Sequence, residues 1–387
     1  MNLREEIIKI EKEMEPLFCE VREYIYNHAE LGNEEVISSA YLVKQMEELG
    51  FQVTYPYCDL KTAFRAEMKL GEGPKVCFMA EYDALPGYGA SGQEVKHACG
   101  HNWIASTTLG AAAVLSRLKG KLNGTIVLIG TPAEETTGGK CDLVNRGGFD
   151  DIDAALQMHL GAENNIDITS LAMDSIQFDF YGKAAHAAAY PELGINALDA
   201  VTLMMQGVNA LREHMTSDAR VHGIITRGGQ AVNTVPDHCT CQYYIRAGKR
   251  EYLEKLTERI INCARGAALM TGCELQYDNF ENSYDDLVYH PGLKKVLKKN
   301  LESLGMDDFV TQQTSASGST DVGNVSHKCP TAYCEIATGA CPSVFAHHES
   351  FLDYVHGSHS DETQRIAILG MALTAAEVMN NPDILKM

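Results

Sequence analysis

The sequence lacks several features that mark common classes of protein. It has 32 Lys and Arg against 52 Asp and Glu, a formal net charge of −20, and a field of that sign repels nucleic acids and anionic membranes. No apolar stretch approaches the length of a membrane span, and the start, MNLREEIIKIEKEME, has no apolar core of a signal peptide. We therefore expect a cytoplasmic protein without nucleic-acid or membrane partners.

Two further absences concern nucleotides and disulfides. No GxxxxGK[ST] loop is present, which disfavours a nucleotide-binding enzyme. The 12 cysteines include no CxxC pair and no regular spacing, so in a cytosolic chain they indicate reduced thiols rather than a disulfide framework. For Cys99, in the segment HACGHN, this leaves three roles open: a nucleophile, a metal ligand or a small core residue.

The order of apolar runs predicts an α/β fold. Residues 4–50 have the helical spacing of two amphipathic helices, broken near ELGNEE. Strand-like runs then follow at 75–82, 124–130 and 153–160, with a helix of small residues at 104–118 after the first of them. Strands that alternate with helices favour a doubly wound, mostly parallel sheet.

The middle of the chain has a different order. Between residues 171 and 283 the pattern is β-α-β-β-α-β, the ferredoxin-like arrangement. After it, a helical pattern at 290–305 and a strand-like run at 330–336 return to the first type. We therefore predict a catalytic domain made of 1–170 and 284–387, with 171–283 inserted as a second domain.

Carboxylates and imidazoles follow several of the predicted strands. In open α/β sheets, ligands bind outside the carboxyl ends of the strands. The residues in such places are Glu81, Asp83, Glu134, Glu135, His159, His347 and His348. Each alone has an ordinary structural explanation, but together at one sheet edge they are the usual ligands and bases of a zinc site.

Cys99 stands just before one of the predicted helices, where backbone N–H groups and the helix dipole favour a thiolate. As a nucleophile it would use His97 or His101 as its base. A cysteine amidase, however, gives no role to the adjacent Glu134 and Glu135 or to the additional histidines. We therefore favour the ligand role, with the cysteine amidase as the alternative.

Several motifs in series resemble one family. EYDALPG, HACGHN, GTPAEE, QMHLG, GKAAHAAAYPELGINALDAV, VNTVPDHC and SGSTDVGNVSH occur in an order similar to the aminoacylase and glutamate-carboxypeptidase family of metallopeptidases. The match is to its amidohydrolase group, and within it to the branch of aminobenzoyl-glutamate hydrolases and aminoacylase-like dipeptidases. The resemblance covers about residues 80–360.

The resemblance implies a metal-dependent hydrolase that cleaves an amide or peptide bond to an amino acid with a free carboxylate. The substrate would be a dipeptide, an N-acyl amino acid or an aminobenzoyl-glutamate. It also implies two divalent metal ions in each chain, zinc in the first place, with manganese, cobalt or nickel as alternatives. The inserted domain would act as a lid and as the surface of a homodimer.

The resemblance also implies roles for individual residues. The metal ligands would be Cys99, His101, Glu135, His159 and His347, with His348 the alternative to the last. His347 is preferred because the aromatic Phe351 follows it by four residues. Glu134 would be the general base and acid, and Asp83 would orient its neighbours. Substrate would be bound by His186, Asn233 and Arg246.

Two positions depart from the family's pattern. Glu81 stands where the wider family has the His of an HxD motif, which indicates the cysteine variant of the ligand set. Asn102 replaces a common Asp, and we expect this loss of a carboxylate to weaken the orientation of His101. A catalytically impaired homologue is a second alternative, although the intact pair of Glu134 and Glu135 argues against it.

Overall fold

The structure, a computed structural model, describes residues 2–310 and 318–387. These residues form two compact units. Unit one contains 2–169, 287–310 and 321–387, and unit two contains 170–286 and 318–320. Of the motif SGSTDVGNVSH, Ser317 lies outside the described residues.

The described residues form helices and strands along most of the chain. In chain order the helices are α1 (Leu3–Asn27), α2 (Val36–Glu48), α3 (His101–Ser116), α4 (Gly139–Asn145), α5 (Ala197–Leu211), α6 (Arg250–Thr271), α7 (Pro291–Glu302), α8 (Val322–Lys328) and α9 (Asp361–Asn380). The strands are β1 (Gln52–Thr54), β2 (Phe64–Lys69), β3 (Lys75–Ala80), β4 (Leu85–Tyr88), β5 (Glu94–Lys96), β6 (Thr125–Gly130), β7 (Ala154–Gly161), β8 (Ala172–Tyr181), β9 (Arg220–Arg227), β10 (His238–Ala247), β11 (Glu274–Asn279) and β12 (Thr331–Ala337). Helices α5 and α6 and strands β8 to β11 belong to unit two.

Unit one is built on a six-stranded sheet in the order β1-β2-β6-β3-β7-β12. The neighbours β6, β3, β7 and β12 run parallel, whereas β1 and β2 are antiparallel additions at one edge. Strands β6 and β7 are buried along their whole length, as expected for parallel strands covered on both faces. The predicted mostly parallel sheet is therefore confirmed.

Helix α3 lies at the centre of this unit and is packed through small residues. Its residues from His101 to Leu115 are all buried. A Cβ at Gly110 would lie 2.6 Å from Ile368 Cδ1 of α9, so the glycine permits the close approach of these two helices. At the start of α3, Gly100 has φ 83°, a left-handed conformation that glycine adopts without steric cost. The chain can therefore turn sharply from Cys99 into the helix.

Unit two is a four-stranded antiparallel sheet in the order β11-β8-β10-β9. Its core consists of residues from the strands together with α5 and α6. The element order β8-α5-β9-β10-α6-β11 is the predicted ferredoxin-like order. Alternate burial along β8 and β10 explains why these strands could be recognised in the sequence.

The segment GYGASG at 87–92 has the spacing of a dinucleotide-binding GxGxxG loop. In the structure it lies at the turn between the antiparallel strands β4 and β5 rather than between a strand and a helix. It therefore lacks the structural context of a nucleotide site. Among the described residues, none of the helices has the length and apolar character that crossing a membrane requires.

Candidate metal centre and active site

Four parallel strands bring the predicted ligands to one edge of the sheet in unit one. Glu81 and Asp83 follow β3, Glu134 and Glu135 follow β6, His159 lies near the end of β7, and the segment of His347 follows β12. Carboxyl ends of parallel strands share one sheet edge, which is why residues so distant in the sequence meet here.

The potential ligand atoms form three overlapping groups, within each of which all atoms lie within 4.8 Å of one another. The groups are Cys99 with His101 and His159, Cys99 with Glu135 and His347, and His101 with Glu134 and Glu135. Cys99, His101 and Glu135 each occur in two groups. Such sharing fits a centre for two ions, and thiolate, imidazole and carboxylate are ligands that zinc accepts.

His101 is held by a carboxylate. Its Nδ1 lies 2.7 Å from Asp83 Oδ1, and Asp83 Oδ2 accepts a hydrogen bond of 2.9 Å from the backbone N–H of Glu135. With its proton on Nδ1, His101 turns Nε2 towards the cluster, where this buried atom has no hydrogen-bond partner among the described residues. A buried nitrogen without a partner at this place is what a metal ligand requires, so the residues present fit the metal.

Asn102 corrects one expectation from the sequence. Its side-chain amide donates to the backbone oxygen of Val355 at 2.7 Å and to that of Arg22 at 3.4 Å. It therefore ties α3 to neighbouring segments and does not serve His101. The expectation that the missing carboxylate weakens the orientation of His101 is wrong, because Asp83 supplies that carboxylate.

Cys99 corrects a second expectation. Its Sγ lies 3.4 Å from His159 Nε2, but burial, and next the charge of Glu135, raise the pKa of the thiol well above its usual value. The helix start therefore does not yield a thiolate in the metal-free protein. A cysteine nucleophile needs the opposite shift, whereas a coordinating thiol is deprotonated by the ion itself. The environment thus argues against the cysteine amidase.

His347, rather than His348, reaches the cluster. Its Nε2 lies 3.1 Å from Glu135 Oε1, and its backbone N–H donates to Ala98 O at 2.8 Å. His348 instead accepts at Nδ1 from the backbone N–H of Ser350 and caps a short 3-10 helix. The structure therefore brings His347 together with the other predicted ligands, and its role as a ligand stays a prediction.

The two adjacent glutamates differ in charge. Burial, and next the charges of Glu135 and Asp321, raise the pKa of Glu134 well above its usual range. Burial acts in the same direction on Glu135, but the hydrogen bond from His347 and the charge of His101 outweigh it and lower the pKa. One carboxyl that holds a proton readily beside one that stays ionised suits a base next to a ligand.

A buried lysine completes the site and was not found by sequence reasoning. Lys140 is fully buried, with Nζ 2.5 Å from Glu81 Oε1 and 2.7 Å from Asp321 Oδ1. The second oxygen of Glu81 lies 3.5 Å from His101 Nε2. Lys140 therefore fixes an anionic group directly behind a predicted ligand. The motif with Asp321 was recognised, but nothing in the sequence indicated its partner.

The three predicted substrate-binding residues lie in unit two. His186 is exposed, and its Nδ1 accepts from the backbone N–H groups of Ala188 and Ala189 at 3.3 and 3.2 Å. Asn233 is exposed on the adjacent segment, which pairs with that of His186. Arg246 ends β10 and donates to Ser319 Oγ at 2.9 Å. His186 and Asn233 are thus neighbours, and Arg246 is held separately.

Comparisons with known proteins agree with this centre. The family model described as peptidase family M20/M25/M40 matches residues 77–361. The chain is 36% identical over 354 residues to the Xaa-Arg dipeptidase of Homo sapiens, covering 86% of this chain and 78% of that protein. It is also 36% identical over 283 residues to one of the two polypeptides of the p-aminobenzoyl-glutamate hydrolase of Escherichia coli, covering 69% of this chain and 59% of the relative.

A solved structure supports the fold independently. The YXEP protein of Bacillus subtilis, described as a dinuclear metal-binding peptidase of the M20 family, matches with a TM-score of 0.71 and 20% identity. The match covers 95% of this chain and 99% of the other. At this identity the likeness concerns the fold, and it agrees with the two units described above.

Proposed function

Because this chain belongs to peptidase family M20/M25/M40 and is a metal-dependent hydrolase of amide or peptide bonds, we propose that it releases an amino acid with a free carboxylate. Its substrates would be dipeptides, N-acyl amino acids or aminobenzoyl-glutamate, with Xaa-Arg dipeptides the first to test. The observation that carries the proposal is the three overlapping groups of ligand atoms beside Glu134.

The proposed ligands are Cys99, His101, Glu135, His159 and His347. The mixture of thiolate, imidazole and carboxylate supports zinc as the resident metal. When bound, divalent ions supply Lewis-acid chemistry, polarising a carbonyl and making water acidic near neutral pH. Metal analysis of protein purified without added metal tests this assignment, with two equivalents of zinc as the expected result.

Glu134 is the proposed proton carrier. Its carboxyl takes a proton from the attacking water and delivers it to the nitrogen of the leaving amino acid. The raised pKa of Glu134 supports this role, because a group that both accepts and returns a proton works best with a pKa near the working pH. His101, oriented by Asp83, stays fixed while the proton moves.

Arg246 is the proposed site for the free carboxylate of the substrate. Its guanidinium is half buried, and it forms no ion pair among the described residues. Burial lowers its pKa, so an unpaired cation is held at a cost that an incoming carboxylate would offset. Arginine binds carboxylates through two parallel hydrogen bonds, which favours a substrate that ends in a free amino acid.

His186 is the proposed donor to the oxygen of the scissile carbonyl. Because its Nδ1 accepts from two backbone N–H groups, its proton lies on Nε2, which can donate. Asn233, on the paired neighbouring segment, would bind the substrate beside it. Donors aimed at developing negative charge stabilise the transition state of acyl transfer.

A homodimer through unit two is also proposed. Strand β9 is at the edge of its sheet, and its residues Ile224 and Ile225 are 63% and 40% exposed. A long exposed edge strand with apolar residues is a common site of strand pairing. Light scattering after size-exclusion chromatography should give twice the mass of one chain, and Ile224→Lys should reduce it to one.

The activity is tested with a panel of Xaa-Arg and other dipeptides, N-acetyl amino acids and aminobenzoyl-glutamate, with Zn²⁺ or Mn²⁺ and again with chelator. We expect turnover that chelator abolishes. Glu134→Gln should lose about 10²–10⁴-fold in kcat with its metal content unchanged. The exposed Glu163→Gln is the matched control. Full activity of Glu134→Gln at full metal content would contradict the assignment.

Recognition of the carboxylate is tested separately. The wild-type enzyme should prefer a substrate with a free carboxylate over the same substrate with a terminal amide. Arg246→Ala should lose this preference by raising KM for the free acid only, whereas the exposed control Arg227→Ala should keep it. An unchanged preference in Arg246→Ala would remove Arg246 from the proposal.

A further inference from the structure

We propose that Glu35 is a positioning residue for the active site, anchoring the turn that presents Glu134 and Glu135. This inference rests on the proposed function of those two glutamates. Glu35 belongs to the segment ELGNEE between α1 and α2, far from them in the sequence, and none of the roles assigned above involves it.

Glu35 is fully buried and uses both oxygens of its carboxyl group. Oε1 accepts a hydrogen bond of 2.8 Å from the backbone N–H of Ala133, and Oε2 accepts one of 2.8 Å from Thr62 Oγ1. Ala133 has φ 59°, a left-handed conformation that an L-residue adopts only at a cost. The carboxylate thus binds the residue at which the backbone bends before Glu134.

The contacts of Glu35 belong to a closed ring of hydrogen bonds. Thr62 not only donates to Glu35 but also accepts, at its backbone oxygen, a hydrogen bond of 2.6 Å from Tyr82 Oη. Tyr82 precedes Asp83, which accepts from the backbone N–H of Glu135. The ring therefore joins the segment after β3 to the segment after β6, and Glu35 is the link that neither segment contributes.

The rest of the segment around Glu35 follows the same two loops. The backbone oxygen of Glu30 accepts from the N–H of Ala84 at 2.8 Å. A Cβ at Gly32 would lie 2.3 Å from Thr136 Oγ1, and Asn33 Nδ2 donates to Thr137 Oγ1 at 3.1 Å. The segment between α1 and α2 is therefore packed along both loops that carry the site, and Glu35 is its charged contact.

The cost of keeping Glu35 in this place supports a specific role. It forms no ion pair with any cation among the described residues, and burial, and next the charge of Asp83, raise its pKa to about 7. A serine or an amide could cap a helix at lower cost, but neither has two acceptor oxygens placed to bind Ala133 and Thr62 together. Two hydrogen bonds to one carboxylate fix the turn more firmly than either alone.

The test compares Glu35→Ala and Glu35→Gln with Glu34→Ala, a matched control that removes an exposed carboxylate from the neighbouring position. Zn²⁺ is titrated into chelator-stripped protein by calorimetry, and kcat and KM are measured at saturating metal. All measurements are made at a temperature at which circular dichroism shows each variant to be folded.

We expect Glu35→Ala to lower the affinity for Zn²⁺ or kcat by about 10–100-fold, with KM changed less than about twofold because no substrate contact is lost. Glu35→Gln should fall between, since its amide oxygen can still accept from Ala133. Glu34→Ala should match the wild type. A folded Glu35→Ala with Zn²⁺ affinity and kcat both within about twofold of the wild type would overturn the proposal.

A second variant covers the case in which Glu35→Ala does not fold. Thr62→Val removes one hydroxyl and keeps the shape, and should shift the same quantities in the same direction by less. If both Thr62→Val and Glu35→Gln match the wild type, the proposal is wrong. The Zn²⁺ titration needs no substrate, so it decides the role of Glu35 even if the wild type hydrolyses nothing in the panel and the proposed function fails.

Discussion

Replacing Lys140 by methionine should destabilise the protein strongly. The lysine Nζ lies 2.5 and 2.7 Å from the carboxylates of Glu81 and Asp321, and none of the three side chains is more than 2% exposed. Methionine keeps most of the apolar stem but leaves two carboxylates buried without a cation. Removing one partner of a buried pair typically costs about 3–5 kcal/mol.

This cost translates into a large change in melting temperature. For a domain of the size of unit one, 1 kcal/mol corresponds to about 2–4 °C, so Lys140→Met should melt roughly 6–20 °C lower. Differential scanning calorimetry of chelator-treated protein measures this without interference from metal binding. The exposed Lys119→Met is the matched control and should stay within about 0.5 kcal/mol of the wild type.

The loss should depend on pH in a defined direction. Burial raises the pKa of Asp321 even with Lys140 beside it, and the charge of Lys140 is the largest of the effects that lower the pKa of Glu81. Without the lysine both carboxyls should hold protons more tightly in the folded than in the unfolded chain. Folding then binds protons, so the variant gains stability relative to the wild type as the pH falls from 8 towards 5.

Two results would refute this reasoning. One is a melting temperature of Lys140→Met within about 2 °C of the wild type at pH 8. The other is a deficit that does not shrink at low pH, which would mean that lost packing rather than unpaired charge causes it. Conversely, the double variant Lys140→Met/Asp321→Asn should recover part of the loss, because it removes one of the two unpaired charges.

Three further predictions concern the metal centre. Cys99→Ser should weaken Zn²⁺ binding by on the order of 100-fold, since ~10–16 kcal/mol of zinc affinity divided among four ligands gives about 3 kcal/mol each; calorimetry measures it, and an unchanged affinity would exclude Cys99 as a ligand. Asp83→Asn should cost about 10–100-fold in Zn²⁺ affinity or kcat, because an amide cannot accept from both His101 and the backbone; equal values for variant and wild type would contradict this. Asn102→Asp should lower stability by about 1–3 kcal/mol in urea unfolding without tightening metal binding, because the donor to Val355 is lost; a gain in Zn²⁺ affinity would show that this position does act on the metal.

The sequence predicted those elements whose pattern agrees with their burial. Strands β3, β6 and β7 are short apolar runs because both faces are covered, and β8 and β10 alternate because one face is covered less. The β-α-β-β-α-β order of unit two followed from these patterns alone. Fold class was therefore accessible from local hydrophobicity and the order of elements.

The elements that escaped prediction lack such a pattern. Helix α9 is buried on nearly all sides, so it has no polar face to reveal its period. Strand β2 contains Arg65, which is buried only because it pairs with Asp151, and a charged residue in a short segment argues against a strand. In both cases tertiary packing, rather than the local sequence, determines the structure.

The candidate site was predictable where it follows the sheet and not where it depends on distant partners. The rule of strand ends brought Glu134, Glu135 and His159 to one edge, although their individual roles stay predictions. Lys140 gave no signal, because its partners are 59 and 181 residues away in the sequence. Asn102 was interpreted through the wrong neighbour, since a single sequence does not show which backbone oxygen an amide reaches.

The insertion of unit two within unit one affects the order in which the chain can fold during synthesis. When β11 has left the ribosome, every strand of unit two has been made, but β7 still lacks its parallel neighbour β12 and α3 still lacks α9. An unpaired strand edge and an uncovered apolar helix are the surfaces on which nascent chains aggregate or bind chaperones. Unit two can therefore fold early, whereas unit one must wait for the last residues. His347, which comes from that last stretch, is also the last predicted ligand to arrive, so the metal centre can be completed only after translation has almost ended.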